Sequence, residues 1–202
     1  MFENLPQPLR DVVDHFSKLP GLGPKSALKI ALYLLEIPEH KVRSLGESII
    51  SLRENLTICE RCGGFADRSP CDICLDPTRD DSKLCVVSDW DGLMLFETTK
   101  IFKGRYLILG GLLSPLEGKN PEHLRIGLLK KRLSEGKVQE VILALGSTKD
   151  AELTESFLRD LIVSNYPHIQ LTRLAQGIPV GLELKYVDHE SLKQSIRYRQ
   201  KL

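Results

Sequence analysis

The sequence predicts an α/β protein preceded by an N-terminal helical segment, and three observations point to this fold class. From Leu9 to Asn55 the apolar residues recur at helical spacing. Beyond Leu84, short β-branched runs alternate with longer helical stretches, a pattern typical of a parallel sheet covered by helices. Between these two regions, four of the five cysteines fall within 16 residues.

The composition is that of a folded globular chain. Of 202 residues, 42% are apolar and 27% are charged, which excludes intrinsic disorder and a collagen-like structure. The 28 basic and 27 acidic residues give a net charge of +1, so total charge does not indicate a polyanionic partner. No apolar run approaches the roughly 18 residues of a membrane helix, and the N-terminus lacks a signal-peptide pattern. We therefore expect a cytoplasmic protein.

The N-terminal region is predicted to form three short helices. The first break between them contains Pro20-Gly21, and the second contains Pro38. The second helix runs from Pro24 to about Leu35. Its apolar face comprises Ala27, Ile30, Ala31 and Leu34. Lys25 and Lys29 lie on the opposite face, which is left for solvent or a ligand.

The turn before this helix is a candidate DNA-binding hairpin made by Gly21, Gly23, Lys25 and Lys29. The glycines allow close approach to a ligand, and the start of the helix offers free N–H groups to phosphate. Residues 15–35 contain three lysines and no acidic residue. Such contacts read no bases, so binding is expected to be independent of DNA sequence. The alternative is a simple connector with solvated lysines.

The cysteine cluster follows the pattern C-x2-C-x8-C-x2-C, with Cys59, Cys62, Cys71 and Cys74 as its members. Two such pairs can bring four thiolates to one tetrahedral Zn²⁺ ion. Two local disulfides or a redox C-x2-C are the alternatives; a reducing cytosol opposes the first, and the second explains only one pair. Four cysteine ligands leave no open position, which predicts one structural zinc ion that supplies folding energy to this short segment. Cys85 is interpreted as a small buried apolar residue.

The remaining chain is predicted to alternate strands and helices. The predicted strands are Leu84 to Ser88, Tyr106 to Leu109, Val138 to Leu145, Ile169 to Arg173 and Glu183 to Val187. The predicted helices are Gly92 to Thr98, Pro121 to Ser134, Asp150 to Ser164 and His189 to Arg199. Continuous apolar runs suit parallel strands that are buried on both faces.

The order of these segments resembles the bacterial RecR recombination-mediator family along essentially the whole chain. Besides the hairpin and the cysteines, the resemblance rests on Gly104-Arg105-Tyr106, on Leu113 to Gly118, and on Gly177 to Gly181 with Glu183 to Asp188. It implies a helix-hairpin-helix region over residues 1–55 and a C4 zinc finger over 56–78. A Toprim domain over 79–177 and a C-terminal strand and helix over 178–202 would complete the chain.

The same resemblance implies a non-enzymatic DNA-binding mediator of recombinational repair. Such a protein would assemble into a ring-like homo-oligomeric clamp and act with RecO and RecF. It would help to load RecA on gapped or single-stranded DNA coated by single-strand-binding protein. A pure protein-interaction scaffold without DNA contact is a further alternative.

A divergent Toprim nuclease or primase that uses Mg²⁺ is the competing enzymatic hypothesis. Toprim enzymes carry a glutamate at the end of the first strand and an Asp-x-Asp after the third, but this chain has Ser88, Gly146 and Thr148 at those positions. The nearby acids are Asp89, Asp91, Asp150 and Glu152. They are interpreted as helix caps in preference to a weak cation site. RecR proteins usually keep the first-strand glutamate, so Ser88 is a departure from the family pattern.

The C-terminal helix is basic, with Lys193, Arg197, Arg199 and Lys201. Its charge suits contact with DNA, contact with a neighbouring subunit, or solubility alone, and the spacing does not choose among these roles.

Overall fold

The computed structural model describes residues 4–199. Residues 1–3 and 200–202, including Lys201, lie outside the described residues, although the predicted first and last domains extend to them. The chain forms two units, one ending at Leu56 and one beginning at Thr57. Among residues 4–199, every helix is too short or too polar to cross a membrane.

The first unit consists of three helices, as predicted: α1 (Gln7–Ser17), α2 (Pro24–Glu36) and α3 (Glu39–Asn55). Prolines in the first turns of α1 and α2 suit a helix start, since the missing N–H would have no intrahelical partner there. Val13 of α1 packs against Ala27 and Ala31 of α2, where the small alanine side chains let the two helices approach. By contrast, α3 buries none of its residues.

The second unit begins with a small cysteine-containing module and continues as an α/β domain. The module contains β1 (Thr57–Ile58), β2 (Phe65–Ala66) and α4 (Asp72–Leu75). The α/β domain contains β3 (Asp80–Val87), α5 (Trp90–Thr99), β4 (Gly104–Ile108), α6 (Ile126–Ser134), β5 (Glu140–Ala144), α7 (Lys149–Asn165) and β6 (Gln170–Arg173), and α8 (His189–Arg197) follows.

The four long strands form one parallel sheet in the order β4-β3-β5-β6. On one face, Leu84 and Val86 of β3 join a core that includes Leu129 of α6 and Leu158 of α7. On the other face, residues of β3 and β4 pack against Leu93 of α5. Burial on both faces explains the continuous apolar runs.

Cys85 lies in this second core with none of its surface exposed. Burial raises the pKa of its thiol to about 12, so the group stays protonated at neutral pH. The side chain therefore behaves as an apolar core residue, as interpreted from the sequence.

The structure differs from the predicted elements in two places. The predicted strand from Glu183 to Val187 is instead a single 3-10 turn over Leu184–Tyr186. A strand needs a partner edge for its main-chain hydrogen bonds, and among the described residues β6 pairs with β5 alone. The predicted helix from Pro121 to Ser134 is divided into a short 3-10 turn (Pro121–His123) and α6, because the backbone is non-helical at Leu124 and Arg125.

Candidate zinc centre and nucleic-acid interface

The four predicted cysteine ligands converge on one point. Their sulfur atoms all lie within 4.8 Å of one another, and all four residues are buried. The Sγ atoms are 3.8 Å apart for Cys59 and Cys74 and 3.6 Å apart for Cys62 and Cys71. Tetrahedral zinc with Zn–S bonds of about 2.3 Å places its sulfurs about 3.8 Å apart, whereas a disulfide requires about 2.05 Å. The arrangement fits a zinc ion and excludes disulfide pairing within the cluster.

Backbone groups of the module point at the sulfurs. Gly64 N–H donates to Sγ of Cys62 and Cys71 N–H donates to Sγ of Cys59, each at 3.4 Å. Gly63 has φ of +75°, which permits the tight turn after Cys62 at little steric cost. The N–H donors favour thiolate over thiol and so prepare the sulfurs for a cation.

Two of the four thiols, those of Cys62 and Cys74, have raised pKa values and favour the protonated form, whereas hydrogen bonds with Cys62 and Cys74 lower the pKa of Cys71. The hydrogen bond with Cys71, together with burial, raises the pKa of Cys62 to about 12. The pKa of Cys74 is also raised, chiefly by its hydrogen bonds with Cys62 and Cys71. Zinc binding must therefore displace protons at neutral pH.

Both cysteine pairs are attached to the outer edge of β4. Ile108 N–H donates to the carbonyl of Cys62 at 2.7 Å. The buried Arg105 donates to the carbonyl of Ile73, between the second pair of cysteines, at 2.7 Å, and to Asp81 at 2.6 Å. The cysteine module thus occupies the place that a further strand would take beside β4.

The Gly-Pro hairpin connects α1 and α2 as predicted from the sequence. Gly21 has φ of +78°, a left-handed conformation that favours glycine, and Leu22 N–H closes the turn on the carbonyl of Leu19 at 3.1 Å. Gly23 is the N-cap of α2 and has no side chain to cap the helix. The N–H groups at the start of α2 are consequently available to an external acceptor.

Three exposed lysines flank this helix start: Lys18, Lys25 and Lys29. None of them forms an ion pair within residues 4–199. Lys25 and Lys29 lie on α2 opposite the buried Ala27 and Ala31, as the sequence predicted. Uncapped N–H groups at a helix start, with exposed lysines nearby in sequence, suit the phosphates of a nucleic-acid backbone.

Of the acids near the carboxyl ends of the strands, Asp89 caps a helix, as interpreted from the sequence. Asp89 is the N-cap of α5: one carboxylate oxygen accepts from Gly92 N–H at 2.9 Å, and the other accepts from the Ser88 hydroxyl at 2.8 Å. At α7, Thr148 is the cap and accepts from Ala151 N–H at 3.2 Å, while Asp150 lies in the first turn.

Glu152 faces a cleft of about 550 Å³ whose other acidic residues are Glu155, Asp188 and Glu190. Asp188 caps α8, because its carboxylate accepts from Ser191 N–H at 2.9 Å. Burial raises the pKa of the neighbouring Glu155. Across residues 4–199, the four cysteines are the one group of three or more His, Cys, Asp or Glu side chains that could hold a metal ion.

Sequence reasoning missed the residues that fasten the zinc module to the sheet. Glu135, after α6, accepts from Arg61 of the first cysteine pair at 3.3 Å and from the buried Arg132 at 3.0 Å. Arg125 lies against Gly63 of the same pair. These contacts join distant parts of the sequence through the parallel sheet, so no local pattern signals them.

Comparison with known protein families matches four successive segments of the chain. The RecR helix-hairpin-helix family matches residues 9–52, and the RecR family of four-cysteine zinc finger domains matches residues 56–76. The Toprim domain family matches residues 82–175, and the RecR C-terminal family matches residues 177–200. With the sulfur geometry, the second match assigns one structural zinc ion to the four cysteines.

Full-length relatives agree with these segments. The chain is 56% identical to "Recombination protein RecR" of Maridesulfovibrio salexigens, over 99% of this chain and all of the relative. It is 50% identical to the protein of the same name from Nitratidesulfovibrio vulgaris, over 99% of this chain and all of that relative. The Moorella thermoacetica protein is 39% identical over 98% of each chain. The zinc site, the hairpin and these similarities together place the chain in the RecR family of recombination proteins.

Proposed function

We propose that the chain is a non-enzymatic, cytoplasmic recombination mediator that binds DNA without sequence specificity. The observation that carries this proposal is the hairpin, where Gly21 and Gly23 leave the start of α2 uncapped beside exposed lysines. Lys25 and Lys29 would hold backbone phosphates, and the zinc finger over residues 56–78 would serve structure. The names of the relatives, which are recombination proteins, support the setting in DNA repair.

In this proposal the Toprim domain serves partner binding and assembly of the oligomer, and it catalyses no reaction. A Toprim enzyme needs clustered carboxylates to hold Mg²⁺ for phosphoryl transfer. Here Ser88, Gly146 and Thr148 occupy the corresponding positions, and Asp89 has both oxygens engaged within the protein. No observation favours the nuclease or primase alternative.

The proposed partners are RecO and RecF, and the proposed outcome is loading of RecA on gapped or single-stranded DNA. Adding the protein together with RecO should shorten the lag before RecA assembles on DNA coated by single-strand-binding protein. The measurement is the DNA-dependent ATPase activity of RecA. An unchanged lag, or Mg²⁺-dependent cleavage of the DNA by the protein alone, would contradict the proposal.

We further propose that the protein acts as a ring-like homo-oligomer, because α3 carries an apolar stripe that stays exposed among residues 4–199. The stripe consists of Leu45, Ile49 and Leu52, whose side chains are 45%, 60% and 57% exposed. Their spacing of four and then three residues places them on one helix face, as in helices that pair with other helices. A largely apolar groove of about 430 Å³, lined by α1, α2 and Val42, adds to the uncovered surface of this unit.

Replacing Ile49 and Leu52 together by glutamate should lower the molar mass of the protein in light scattering. The helical circular dichroism should be unchanged, because neither side chain is buried within the chain. Ser44→Glu with Ser51→Glu is the matched control, since it adds the same charge about 120° around α3 from the stripe, at 100° per residue. If both double variants keep the wild-type mass, the stripe is not an assembly surface.

A further inference from the structure

Arg125 occupies a special position at the junction of the zinc module and the sheet. It is the residue before α6, with non-helical backbone angles of φ −77° and ψ 46°. Its N–H donates to the carbonyl of Leu109 at 2.8 Å, and its carbonyl accepts from Leu129 N–H at 3.1 Å. The backbone of Arg125 is therefore fixed to the end of β4 on one side and to α6 on the other.

The side chain of Arg125 lies between two glycines. A Cβ atom on Gly63, in the first cysteine pair, would be 2.7 Å from its Cδ and 3.2 Å from its Nε. A Cβ atom on Gly110, after β4, would be 2.8 Å from its Nη1. Both glycines also have positive φ, +75° and +91°. The two backbones can approach the guanidinium this closely because neither residue has a side chain.

The guanidinium completes a closed set of contacts around Ile108. Nη1 of Arg125 donates to the carbonyl of Ile108 at 3.3 Å, while the N–H of Ile108 donates to the carbonyl of Cys62 at 2.7 Å. Cys62 and Gly63 are adjacent, so the contacts run from Cys62 through Ile108 and Arg125 back to Gly63. Arg125 forms no ion pair within residues 4–199, so its guanidinium acts there through hydrogen bonding and shape.

We propose that Arg125 is a positioning residue of the zinc centre, which holds the Cys62–Gly63 backbone against β4 and so places the Cys62 sulfur for the metal. The residues of the site fit zinc, because four sulfurs already lie at tetrahedral spacing. Residues that orient metal ligands without touching the metal commonly change metal affinity by about 10- to 100-fold when they are removed. Arg125 lies well beyond the cysteines in sequence, directly before α6.

The test is zinc binding by the full chain. Arg125→Ala should raise the zinc dissociation constant about tenfold or more in competition with a chromogenic chelator. In the Co²⁺-substituted protein, the ligand-field absorption should shift from the wild-type spectrum, because the sulfur geometry changes. Arg125→Lys keeps the aliphatic part of the side chain against Gly63 but loses the guanidinium that donates to the carbonyl of Ile108. This variant should give a smaller change of the same sign in both readouts.

Ile162→Val separates positioning from stability. Ile162 lies fully buried in α7, in the core that the zinc module does not join, so this change should lower the Tm while the zinc dissociation constant and the Co²⁺ spectrum stay as in wild type. If Arg125→Ala does not fold, Arg125→Lys provides the same two readouts. Wild-type affinity and spectrum in the folded Arg125 variants would overturn the proposal. So would an equal loss of zinc in Ile162→Val, which would show that affinity follows stability alone.

Discussion

Replacing Cys62 by serine will abolish stoichiometric zinc binding and unfold the module of residues 57–76. The buried interior of this module consists of the four cysteines, with Ala66 and Ile73 packed beside them. So small an apolar core cannot offset the entropy of ordering the segment. A serine hydroxyl does not replace a thiolate, and the remaining three sulfurs leave the tetrahedron open.

The expected effect exceeds that of an ordinary core substitution. Structural zinc contributes roughly 10–16 kcal/mol of binding free energy in zinc-finger peptides, compared with about 2–5 kcal/mol for a large-to-small change in a core. Zinc content after dialysis against a chelator, measured by elemental analysis, and the Tm together check the prediction.

Cys85→Ser is the matched control for this experiment. It also replaces a buried cysteine by serine, but Cys85 lies in β3 and is not one of the four cysteines of the cluster. The variant should therefore lose stability but retain one zinc ion per chain. Retention of stoichiometric zinc by Cys62→Ser after the same dialysis would show that the four-sulfur assignment is mistaken.

Replacing Lys25 and Lys29 together by glutamate will weaken DNA binding by about 10- to 100-fold at moderate salt. Each lost phosphate contact also reduces the slope of log affinity against log salt by about 0.9 for duplex DNA. The fold of the first unit should persist, because both side chains are exposed and form no ion pair within residues 4–199, while Ala27 and Ala31 stay buried. Fluorescence anisotropy over a series of salt concentrations gives both the affinity and the slope.

Lys130→Glu with Lys131→Glu tests whether total charge alone explains the loss. These lysines are exposed on α6 and, within residues 4–199, likewise form no ion pair. The control changes the net charge by the same amount but leaves the hairpin intact, so it should retain most of the affinity. Equal losses in the two double variants would mean that binding follows overall charge, and the hairpin would no longer be the binding site.

The sequence predicted those features that depend on local chemistry. The two C-x2-C pairs indicated the sulfur cluster, because each short loop directs two thiolates to the same side. The spacing of Ala27 and Ala31 indicated the buried face of α2, and therefore the free face that carries Lys25 and Lys29. The apolar run from Val141 to Leu145 indicated a buried strand, and in β5 Val141 and Leu143 are buried while Ile142 and Ala144, on the other face, are half-buried.

Features that depend on a distant partner could not be predicted in the same way. Residues Glu183 to Val187 could form a strand only beside a sheet edge that is free to pair with them. The local sequence pattern does not show whether such an edge is available. The contact of Arg125 with Gly63 requires β4 and the start of α6 to be adjacent, which follows only from the topology of the sheet. At α7, the choice between Thr148 and Asp150 as the cap depends on a helix start that patterns locate within only a few residues.

The attachment of the cysteine module to β4 also bears on solubility. A parallel sheet that ends in a bare strand presents unpaired N–H and C=O groups, onto which another chain can add. Here the carbonyl of Cys62 accepts from Ile108, and the side chains of Arg125 and Arg79 donate to the carbonyls of Ile108 and Gly104. Loss of zinc would free the cysteine module from these contacts and leave the β4 edge of the sheet open to pairing with another chain.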